Sequence, residues 1–359
     1  MTPSVLFAHE IHGLGGAERY LELLTGGLRS RGVATAAVIF GVDRHYGRRA
    51  ADRLVPTVER LRYVEGRARP GPIWSMARQA QADLLHWNFP DPWSFRGASF
   101  LLLPWGRPSV ITDHLPMLTG ASRLVEQSRS LANRRIAAAI VVGEASAVAL
   151  EHRWRRPPPV HVVRNGVPRR DRYANVRARR APGPALLFVG RLEPQKSPLF
   201  AVAVVEALLR SGQPATLRIV GDGSLGPDLR REVTRRGVDR VVTFAGQRDD
   251  AAGEMEGADV LLAPSRYEGL PFTPLEALAA GLPVVASSIA PHAELAGDSG
   301  AVTLLPVDDP GRWAEAVVAL TSRSGVREAA LAAAARFSLD AMVEGTLAVY
   351  RGVSRAPVG

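Results

Sequence analysis

Two glutamates, Glu268 and Glu276, stand eight residues apart at the ends of the segment EGLPFTPLE. An apolar run precedes this segment and a helix-like pattern, PLEALAAG, ends it. The unpaired N–H groups at the start of such a helix make a site for an anion. A carboxylate on each side can accept hydrogen bonds from hydroxyls. A nucleotide sugar has hydroxyls at both ends and a diphosphate between them, so the pattern favours such a ligand.

For Glu276 the pattern also has a purely structural interpretation. Thr273 is a good N-cap, Pro274 suits the first helical position, and Gly281 followed by Pro283 closes the helix. Thr273-x-x-Glu276 then forms a capping box. Glu268 lies before this cap and supports no helix, so a binding role is the stronger interpretation for it.

Lys196 is the single lysine of the chain, since the other 44 of its 45 basic residues are arginines. Lysine and arginine are not interchangeable at a tight anion site. The retention of one compact ammonium therefore draws attention to GRLEPQKSP, residues 190–198, which also contains Arg191.

Short apolar runs alternate with helical patterns along the chain, which predicts parallel, doubly wound sheets. The strand candidates of the second half are ALLFVG, TLRIVG, VVTFAG, DVLLAP, PVVAS and TLLPV. Those of the first half are PSVLFA, VATAAVIFG, ADLLHW, PSVITD, AAAIVVG and PVHVVRNG. In such sheets ligands bind at the carboxyl ends of the strands. We therefore predict an α/β protein with two Rossmann-like domains that face a cleft.

The arginine- and proline-rich stretch at 168–184 is typical of an exposed linker. It divides the chain into a predicted N-terminal Rossmann-like domain (1–167), the linker (168–184), a second Rossmann-like domain (185–337) and a C-terminal helix (338–359).

Composition excludes several classes of protein. The chain has 359 residues, is 46 % hydrophobic and contains no cysteine, so it is neither disordered nor held by disulfides. Its N-terminus lacks the pattern of a signal peptide, and no apolar stretch approaches the roughly 18 residues of a membrane span. These features predict a cytoplasmic protein.

The charge is uneven along the chain. Residues 1–180 carry a formal charge of +14, and residues 181–359 carry −4. A basic first half fits an anionic partner, such as a phosphorylated or lipid-linked acceptor or an acidic membrane surface that the protein contacts peripherally. The alternative is a surface that is simply rich in arginine. No nucleic-acid partner is predicted.

The segment LHWNFPDPWSF, residues 85–95, concentrates aromatic residues in a chain that is only 6 % aromatic. Trp87, Phe89 and Trp93 could form a platform for an acceptor, which we favour because the segment follows a strand. The alternative is a small satellite core under a loop.

No group of residues has the spacing of a metal site. The pairs Asp249–Asp250 and Asp308–Asp309 stand at predicted helix starts and are interpreted as caps. We therefore expect catalysis with no metal and no cofactor.

The segment YEGLPFTPLEALAAGLPVVAS resembles the signature of the retaining glycosyltransferases of family four (glycosyl transferases group 1), which have the GT-B fold. LLFVGRLEPQKSP is similar to the family's G-R-x5-K-G pattern, with Ser197 where glycine is usual. Further segments resemble the family's loops and C-terminal helix: HEIHGLGGAER, VVRNGV, IVGDGSL, VTFAGQ and FSLDAMVEGTLAVY. The resemblance spans almost the whole chain, and its C-terminal helix would cross back to the first domain.

For the second half, the resemblance implies a donor site. Glu268 would hold hydroxyls of the donor sugar, and Glu276 those of the ribose. Arg191 and Lys196 would neutralise the diphosphate. Further phosphate contacts would come from the backbone amides of Leu270, Phe272 and Thr273. The donor would be a UDP- or GDP-sugar.

For the first half, the resemblance implies that Gly15 and Gly16 let the backbone approach the donor and acceptor. His114, in ITDHLPMLTG, matches the family histidine that faces the donor sugar.

The function implied is retaining transfer of a sugar to a hydroxyl acceptor, in synthesis of a cell-envelope glycan or glycolipid. Two alternatives stay open at this point: a glycosyltransferase of antibiotic biosynthesis, and a catalytically silent GT-B protein that only binds nucleotide sugars.

Overall fold

A computed structural model describes residues 2–89, 106–115, 136–151, 158–169, 182–248 and 251–355. The chain divides into two compact units. Unit 1 comprises Met1–Gly166 and Leu339–Gly359, and unit 2 comprises Val167–Ser338. Most of the predicted linker lies outside the described residues. No helix in the described part of the chain is long and apolar enough to cross a membrane.

Unit 1 is built on a seven-stranded sheet in which all paired strands are parallel. Its strands are β1 (Val5–Ile11), β2 (Thr35–Gly41), β3 (Arg60–Glu65), β4 (Leu84–Trp87), β5 (Ser109–Asp113), β6 (Ile136–Val141) and β7 (Val160–Val162). The described helices are α1 (Gly16–Arg29), α2 (Arg44–Leu54), α3 (Pro70–Gln79), α4 (Glu144–Glu151) and, from the end of the chain, α12 (Leu339–Arg355). The order in the sheet is β3-β2-β1-β4-β5-β6-β7.

Unit 2 has a six-stranded sheet whose paired strands are likewise parallel. Its strands are β8 (Ala185–Val189), β9 (Thr216–Val220), β10 (Val242–Gly246), β11 (Val260–Ala263), β12 (Val284–Ser287) and β13 (Val302–Leu305). Its described helices are α5 (Pro198–Arg210), α6 (Gly226–Arg235), α7 (Ala251–Glu256), α8 (Phe272–Ala279), α9 (Ala290–Ala296), α10 (Pro310–Ser322) and α11 (Val326–Ala334). The six apolar runs predicted as strands in this half are confirmed.

Both sheets reverse their strand order at one place. In unit 1 this place lies between β1 and β4, and in unit 2 it lies between β8 and β11, where the order is β10-β9-β8-β11-β12-β13. The loops that follow such a pair of strands diverge to opposite faces and leave a crevice between them. The loops after β8 and β11 contain Lys196 and Glu268, so the topology brings the two predicted site segments together.

The C-terminal helix α12 packs on unit 1, which confirms the predicted return to the first domain. It lies against α1, where a Cβ added to Gly27 would come 2.4 Å from Val343 Cγ2. Just after α1, the Arg31 guanidinium donates to Asp340 (2.6 Å) and Glu344 (2.7 Å) of α12. Glycine at position 27 therefore permits α1 and α12 to approach closely, and these ion pairs stabilise the contact.

His86 of β4 joins this helix to the sheet. Its Nδ1 is hydrogen-bonded to the hydroxyl of Tyr350 in α12, and its Nε2 lies 2.7 Å from Thr112 Oγ1. His86 and Tyr350 are both fully buried. Burial lowers the pKa of His86 to about 3, so the ring is neutral at physiological pH.

We predict that His86 makes unit 1 sensitive to acid. The unfolded ring takes up a proton below a pKa of about 6.5, whereas the folded ring does so only near pH 3. Stability present above pH 6.5 is therefore lost as pH falls from about 6.5 to 3, by about 1.4 kcal/mol per pH unit for this group. Thermal unfolding measured between pH 7 and 5 should show a flatter pH dependence for His86→Gln than for the wild type. Equal slopes would contradict this role.

Candidate functional site

The side chains of Lys196 and Glu268 form an ion pair within unit 2. Lys196 ends a short 3₁₀ turn, Pro194–Lys196, after β8, and Glu268 lies in the loop between β11 and α8. Glu268 is only 6 % exposed. A buried carboxylate needs such a partner, because an unpaired charge is costly away from water. The structure thus joins the two residues to which sequence analysis gave the most weight.

Gln195 links Arg191 to the Glu268 loop. Its Oε1 accepts from Arg191 Nη2 (2.9 Å), and its Nε2 donates to the Tyr267 carbonyl (3.0 Å). Its own carbonyl accepts from the Arg266 N–H (2.8 Å). Gln195 could not be predicted from the sequence, because a glutamine in a polar loop has no distinguishing pattern. Arg191 is exposed, so it depends on Gln195 for its orientation.

The loop after β9 is fixed against the same segment. The Glu193 carboxylate accepts from the Ser224 N–H (2.8 Å) and hydroxyl (2.6 Å), and these bonds hold the pKa of Glu193 below its ordinary value. Gly221 has a φ of +137°, and a Cβ there would lie 1.9 Å from the Gly190 carbonyl oxygen. Only glycine allows this contact, so GDGS supports the Lys196 loop.

Ser197 adopts the left-handed conformation, with φ 48° and ψ 50°. A residue with a Cβ is strained in the left-handed conformation. This explains why the G-R-x5-K-G pattern usually has glycine at the position of Ser197. Ser197 remains between the 3₁₀ turn and α5, which begins at Pro198.

We predict that Ser197→Gly stabilises unit 2 by about 1 kcal/mol, because it relieves the left-handed strain. The Ser197 hydroxyl makes only a long contact (3.4 Å) with the Pro194 carbonyl, so little is lost. Ser211→Gly is the matched control, since Ser211 has an ordinary φ of −83° and glycine should destabilise there. Denaturant unfolding measures both. A destabilised Ser197→Gly variant would refute the strain.

Helix α8 begins two residues earlier than expected. Its N-cap is Pro271, with no side-chain capping bond, and Phe272 is its first residue. The predicted N-cap at Thr273 is therefore wrong, and so is the capping-box interpretation of Glu276. Proline is favoured because its fixed φ suits the turn into the helix. As the first residues of a helix, Phe272 and Thr273 have N–H groups without intrahelical partners.

The other predicted donor-side residues flank this helix start. Leu270 is buried (2 % exposed) in the turn before α8, and Phe272 is also buried (5 %). Thr273 and Glu276 are partly buried on α8. Any contact that Leu270 or Phe272 makes with a ligand must therefore use the backbone.

In unit 1, the predicted glycine pair begins α1. Gly15 is the N-cap, and Gly16 is the first helical residue. The Gly15 N–H donates to Glu18 Oε2 (2.7 Å), and Glu18 Oε1 lies 2.9 Å from His9 Nε2. Gly15 is extended, at φ −164°, a conformation open to any residue. The pair is thus positioned by Glu18, which sequence analysis did not identify.

Asn88 continues this chain of contacts to His114. The Asn88 backbone carbonyl is hydrogen-bonded to His9 Nδ1, and Asn88 Oδ1 accepts from His114 Nε2 at 2.6 Å. The neutral His114 ring therefore has its lone pair on Nδ1. Burial, reinforced by His9 and His86, lowers the pKa of His114 to about 3. Asn88 was missed, although its place directly after β4 at the reversal of strand order is a usable signal.

The aromatic segment lies partly outside the described residues. Trp87 and Phe89 belong to the core of unit 1, at 4 % and 6 % exposure, with ring centroids 5.3 Å apart. This placement corresponds to the packing alternative and leaves neither ring on an exposed platform. The remaining candidate, Trp93, is not among the described residues.

Models of two protein families match the chain. Residues 14–171 match the model for Glycosyltransferase Family 4, and residues 183–323 match that for Glycosyl transferases group 1. The first matched region lies mostly in unit 1, and the second lies entirely in unit 2.

Individual relatives agree with these families. A D-inositol 3-phosphate glycosyltransferase of Acidothermus cellulolyticus is 32 % identical over 284 residues, which cover 69 % of this chain and 62 % of that protein. A 2-deoxystreptamine glucosyltransferase of Streptomyces kanamyceticus is 35 % identical over 135 residues, covering 37 % of this chain and 34 % of that protein. The chain thus spans less than two thirds of either relative.

Among solved structures, Anabaena Alr3699/HepE in complex with UDP superposes with a TM-score of 0.76 and 20 % identity, over 97 % of this chain and 100 % of HepE. This likeness shows a common fold. With one family model matching each half and two parallel-sheet units, the chain belongs to the group 1 and family 4 glycosyltransferases and has the GT-B fold.

Proposed function

We propose that this protein transfers a sugar from a UDP-sugar to a hydroxyl acceptor with retention of anomeric configuration. The observation that carries the proposal is the Lys196–Glu268 pair at the reversal of strand order in unit 2, beside the start of α8. The pair offers a cation for a diphosphate and an acceptor for sugar hydroxyls. The uridine nucleotide is favoured because HepE was solved with UDP and with UDP-glucose.

In the proposed reaction, the bond between the anomeric carbon and the diphosphate oxygen breaks. The acceptor oxygen bonds to the same face of that carbon, and the acceptor proton moves to the leaving phosphate oxygen. Lys196, Arg191 and the N–H groups at the start of α8 stabilise the growing negative charge of the diphosphate. Neither glutamate acts as a general base: Glu268 holds the sugar, and Glu276 holds the ribose.

In unit 1 we assign the acceptor side to the glycine loop and His114. The neutral His114 ring would face the donor sugar, and its orientation by Asn88 supports this role. Gly15 and Gly16 would leave room for backbone contact with the reactants.

The acceptor that we favour is anionic, and the setting is synthesis of a cell-envelope glycan or glycolipid. The +14 formal charge of residues 1–180 supports this choice, as does the likeness to the D-inositol 3-phosphate glycosyltransferase of Acidothermus, whose name contains a phosphate. A lipid-linked acceptor would bring the basic half into peripheral contact with a membrane. Antibiotic biosynthesis is the second candidate, favoured by the likeness to the 2-deoxystreptamine glucosyltransferase.

A thermal-shift screen of UDP-, GDP-, dTDP- and ADP-sugars tests the donor class. A donor at 100 times its Kd stabilises the protein by about 2.7 kcal/mol. We expect UDP-sugars to give the largest shift, and a protein stabilised only by another nucleotide would overturn the uridine assignment. Binding with neither hydrolysis nor transfer would favour the catalytically silent alternative.

We predict that the reaction needs no divalent cation, because Lys196, Arg191 and the start of α8 supply the positive charge that the leaving group requires. Initial rates should be unchanged by a chelator.

Proton NMR of the product should give the anomeric configuration of the donor. A strict requirement for manganese, or an inverted product, would contradict the mechanism.

A further inference from the structure

His292 is a buried histidine of unit 2 with one ring nitrogen unaccounted for. It lies in α9, directly after β12, and is 1 % exposed. Its Nδ1 is 3.0 Å from both the hydroxyl and the carbonyl oxygen of Ser287. Its Nε2 is buried and has no hydrogen-bond partner among the residues that the structure describes. A buried polar atom of this kind calls for an explanation, because most are satisfied.

The hydrogen bonds of Ser287 fix the tautomer of this ring. The Ser287 hydroxyl donates its single proton to the Ser265 carbonyl at 2.5 Å, so toward His292 it can only accept. The Ser287 carbonyl is also an acceptor, and Nδ1 must therefore carry the proton. Burial lowers the pKa of His292, which keeps the ring neutral. Nε2 consequently presents a lone pair and can accept a hydrogen bond.

The same contacts connect His292 to the loop that contains Glu268. Ser265 stands three residues before Glu268 in the loop after β11, and Ser287 ends the neighbouring strand β12. The charges of Glu268 and Lys196 both act on the ring, in opposite directions. His292 thus borders the part of the site assigned to the sugar.

The chemistry of Nε2 selects among the parts of a nucleotide sugar. A diphosphate at neutral pH has no proton to donate, and its oxygens would face a lone pair unfavourably. A sugar hydroxyl can donate to Nε2 and still accept from another group. The lone pair is therefore complementary to the sugar and not to the phosphates.

We infer that His292 Nε2 accepts a hydrogen bond from a second hydroxyl of the donor sugar, next to the hydroxyl that Glu268 holds. This inference rests on the proposed function and adds a residue that discriminates among donor sugars. Two fixed acceptors at one end of the pocket would recognise a pair of hydroxyls and reject a sugar that lacks either one.

Two substitutions separate the nitrogens of the ring. In His292→Asn the side-chain amide replaces Nδ1, whereas in His292→Gln it reaches the position of Nε2. Calorimetric titration with UDP should give wild-type affinity for both variants. With UDP-glucose, the Asn variant should bind roughly 3- to 10-fold more weakly, the loss expected for one hydrogen bond, while the Gln variant retains most of the affinity. If the Asn variant bound UDP-glucose normally and the Gln variant bound it weakly, the inference would be wrong, and His292 would serve only to hydrogen-bond Ser287.

Deoxygenated donors identify the hydroxyl. One UDP-deoxyglucose of the series should bind the wild type more weakly than UDP-glucose by the same factor, yet bind His292→Asn no more weakly than UDP-glucose does. If every deoxygenation weakens the Asn variant as much as the wild type, the two groups do not interact and the inference is wrong.

A measurement on the wild-type protein avoids dependence on the folding of any variant. In protein labelled with ¹⁵N-histidine, the Nε2 resonance of His292 should shift when UDP-glucose binds and stay in place when UDP binds. An identical response to both ligands would overturn the inference but leave the proposed function intact. Failure of wild-type protein to bind either ligand would refute the proposed uridine donor, and the inference with it.

Discussion

Lys196→Ala should lower kcat/KM for transfer on the order of 100- to 1,000-fold, the usual cost of removing one preorganised donor to a developing negative charge. No other lysine exists in the chain, and Arg191 is exposed and engaged with Gln195. The leaving diphosphate would therefore lose its compact cation. Initial rates with a saturating acceptor measure the effect.

Two further variants make this result specific. Arg210→Ala removes a cation at the far end of α5, where its pair with Glu206 is exposed on the arginine side, and should leave the rate unchanged. Lys196→Arg keeps the charge but not the shape, and should restore only part of the rate. Because Lys196→Ala also leaves Glu268 buried without its cation, thermal unfolding must accompany the kinetics. Near-normal turnover in a folded Lys196→Ala protein would refute the assigned role.

Glu268→Gln should reduce transfer by at least about 100-fold without weakening the binding of UDP. The carboxylate accepts hydrogen bonds at both oxygens, whereas the amide replaces one acceptor by a donor. The same change releases Lys196 from its ion pair. The ammonium then meets the diphosphate without first leaving a partner, so UDP should bind at least as tightly as it does to the wild type.

Glu276→Gln is the matched comparison for this variant. Its proposed contact is with the ribose, which UDP contains, so this substitution should weaken UDP itself. The loss of a hydrogen bond to a charged group, about 1.5–3 kcal/mol, corresponds to roughly 10- to 150-fold in Kd. Isothermal titration of both variants with UDP decides the matter. If Glu268→Gln weakened UDP as much as Glu276→Gln did, Glu268 would not be confined to the sugar end.

The fold could be predicted from the sequence wherever burial determines the type of residue. Strands covered on both faces are apolar nearly throughout, as in β11 and in β12 up to Ser287, and all four residues of each are buried. Helix ends are also marked by glycine and proline, as at Gly212 after α5. Segments of this kind predicted the order of unit 2 and the place of the site in it.

Elements with only one covered face were harder to predict. The edge strand β3 alternates exposed and less exposed residues and includes Arg60, Arg62 and Glu65, so it resembles a polar loop. Its pairing with β2 satisfies its backbone, but pairing leaves no mark on the residue types.

Within the site, the charged residues could be predicted from the sequence, whereas the hydrogen bonds that orient them could not. Lys196 and Glu268 were identified by rarity and by spacing. Gln195, Asn88 and Glu18 act through hydrogen bonds between segments distant in sequence, which only the folded chain reveals. The N-cap predicted at Thr273 was wrong for a different reason. A local capping pattern is present there, but Pro271 already provides the turn into α8.

The return of α12 to unit 1 determines which of the two units can be completed first. Unit 2 begins and ends at neighbouring points, since the Val167 N–H donates to the Phe337 carbonyl at 3.0 Å and Val167 pairs with Ser338. It can therefore close on itself without residues 339–355. Unit 1 emerges first yet lacks Tyr350 and the partners of Arg31 until residues 339–355 have been translated. The half of the protein that is made first is thus completed last, and a chain truncated before α12 would lack part of unit 1 but none of unit 2.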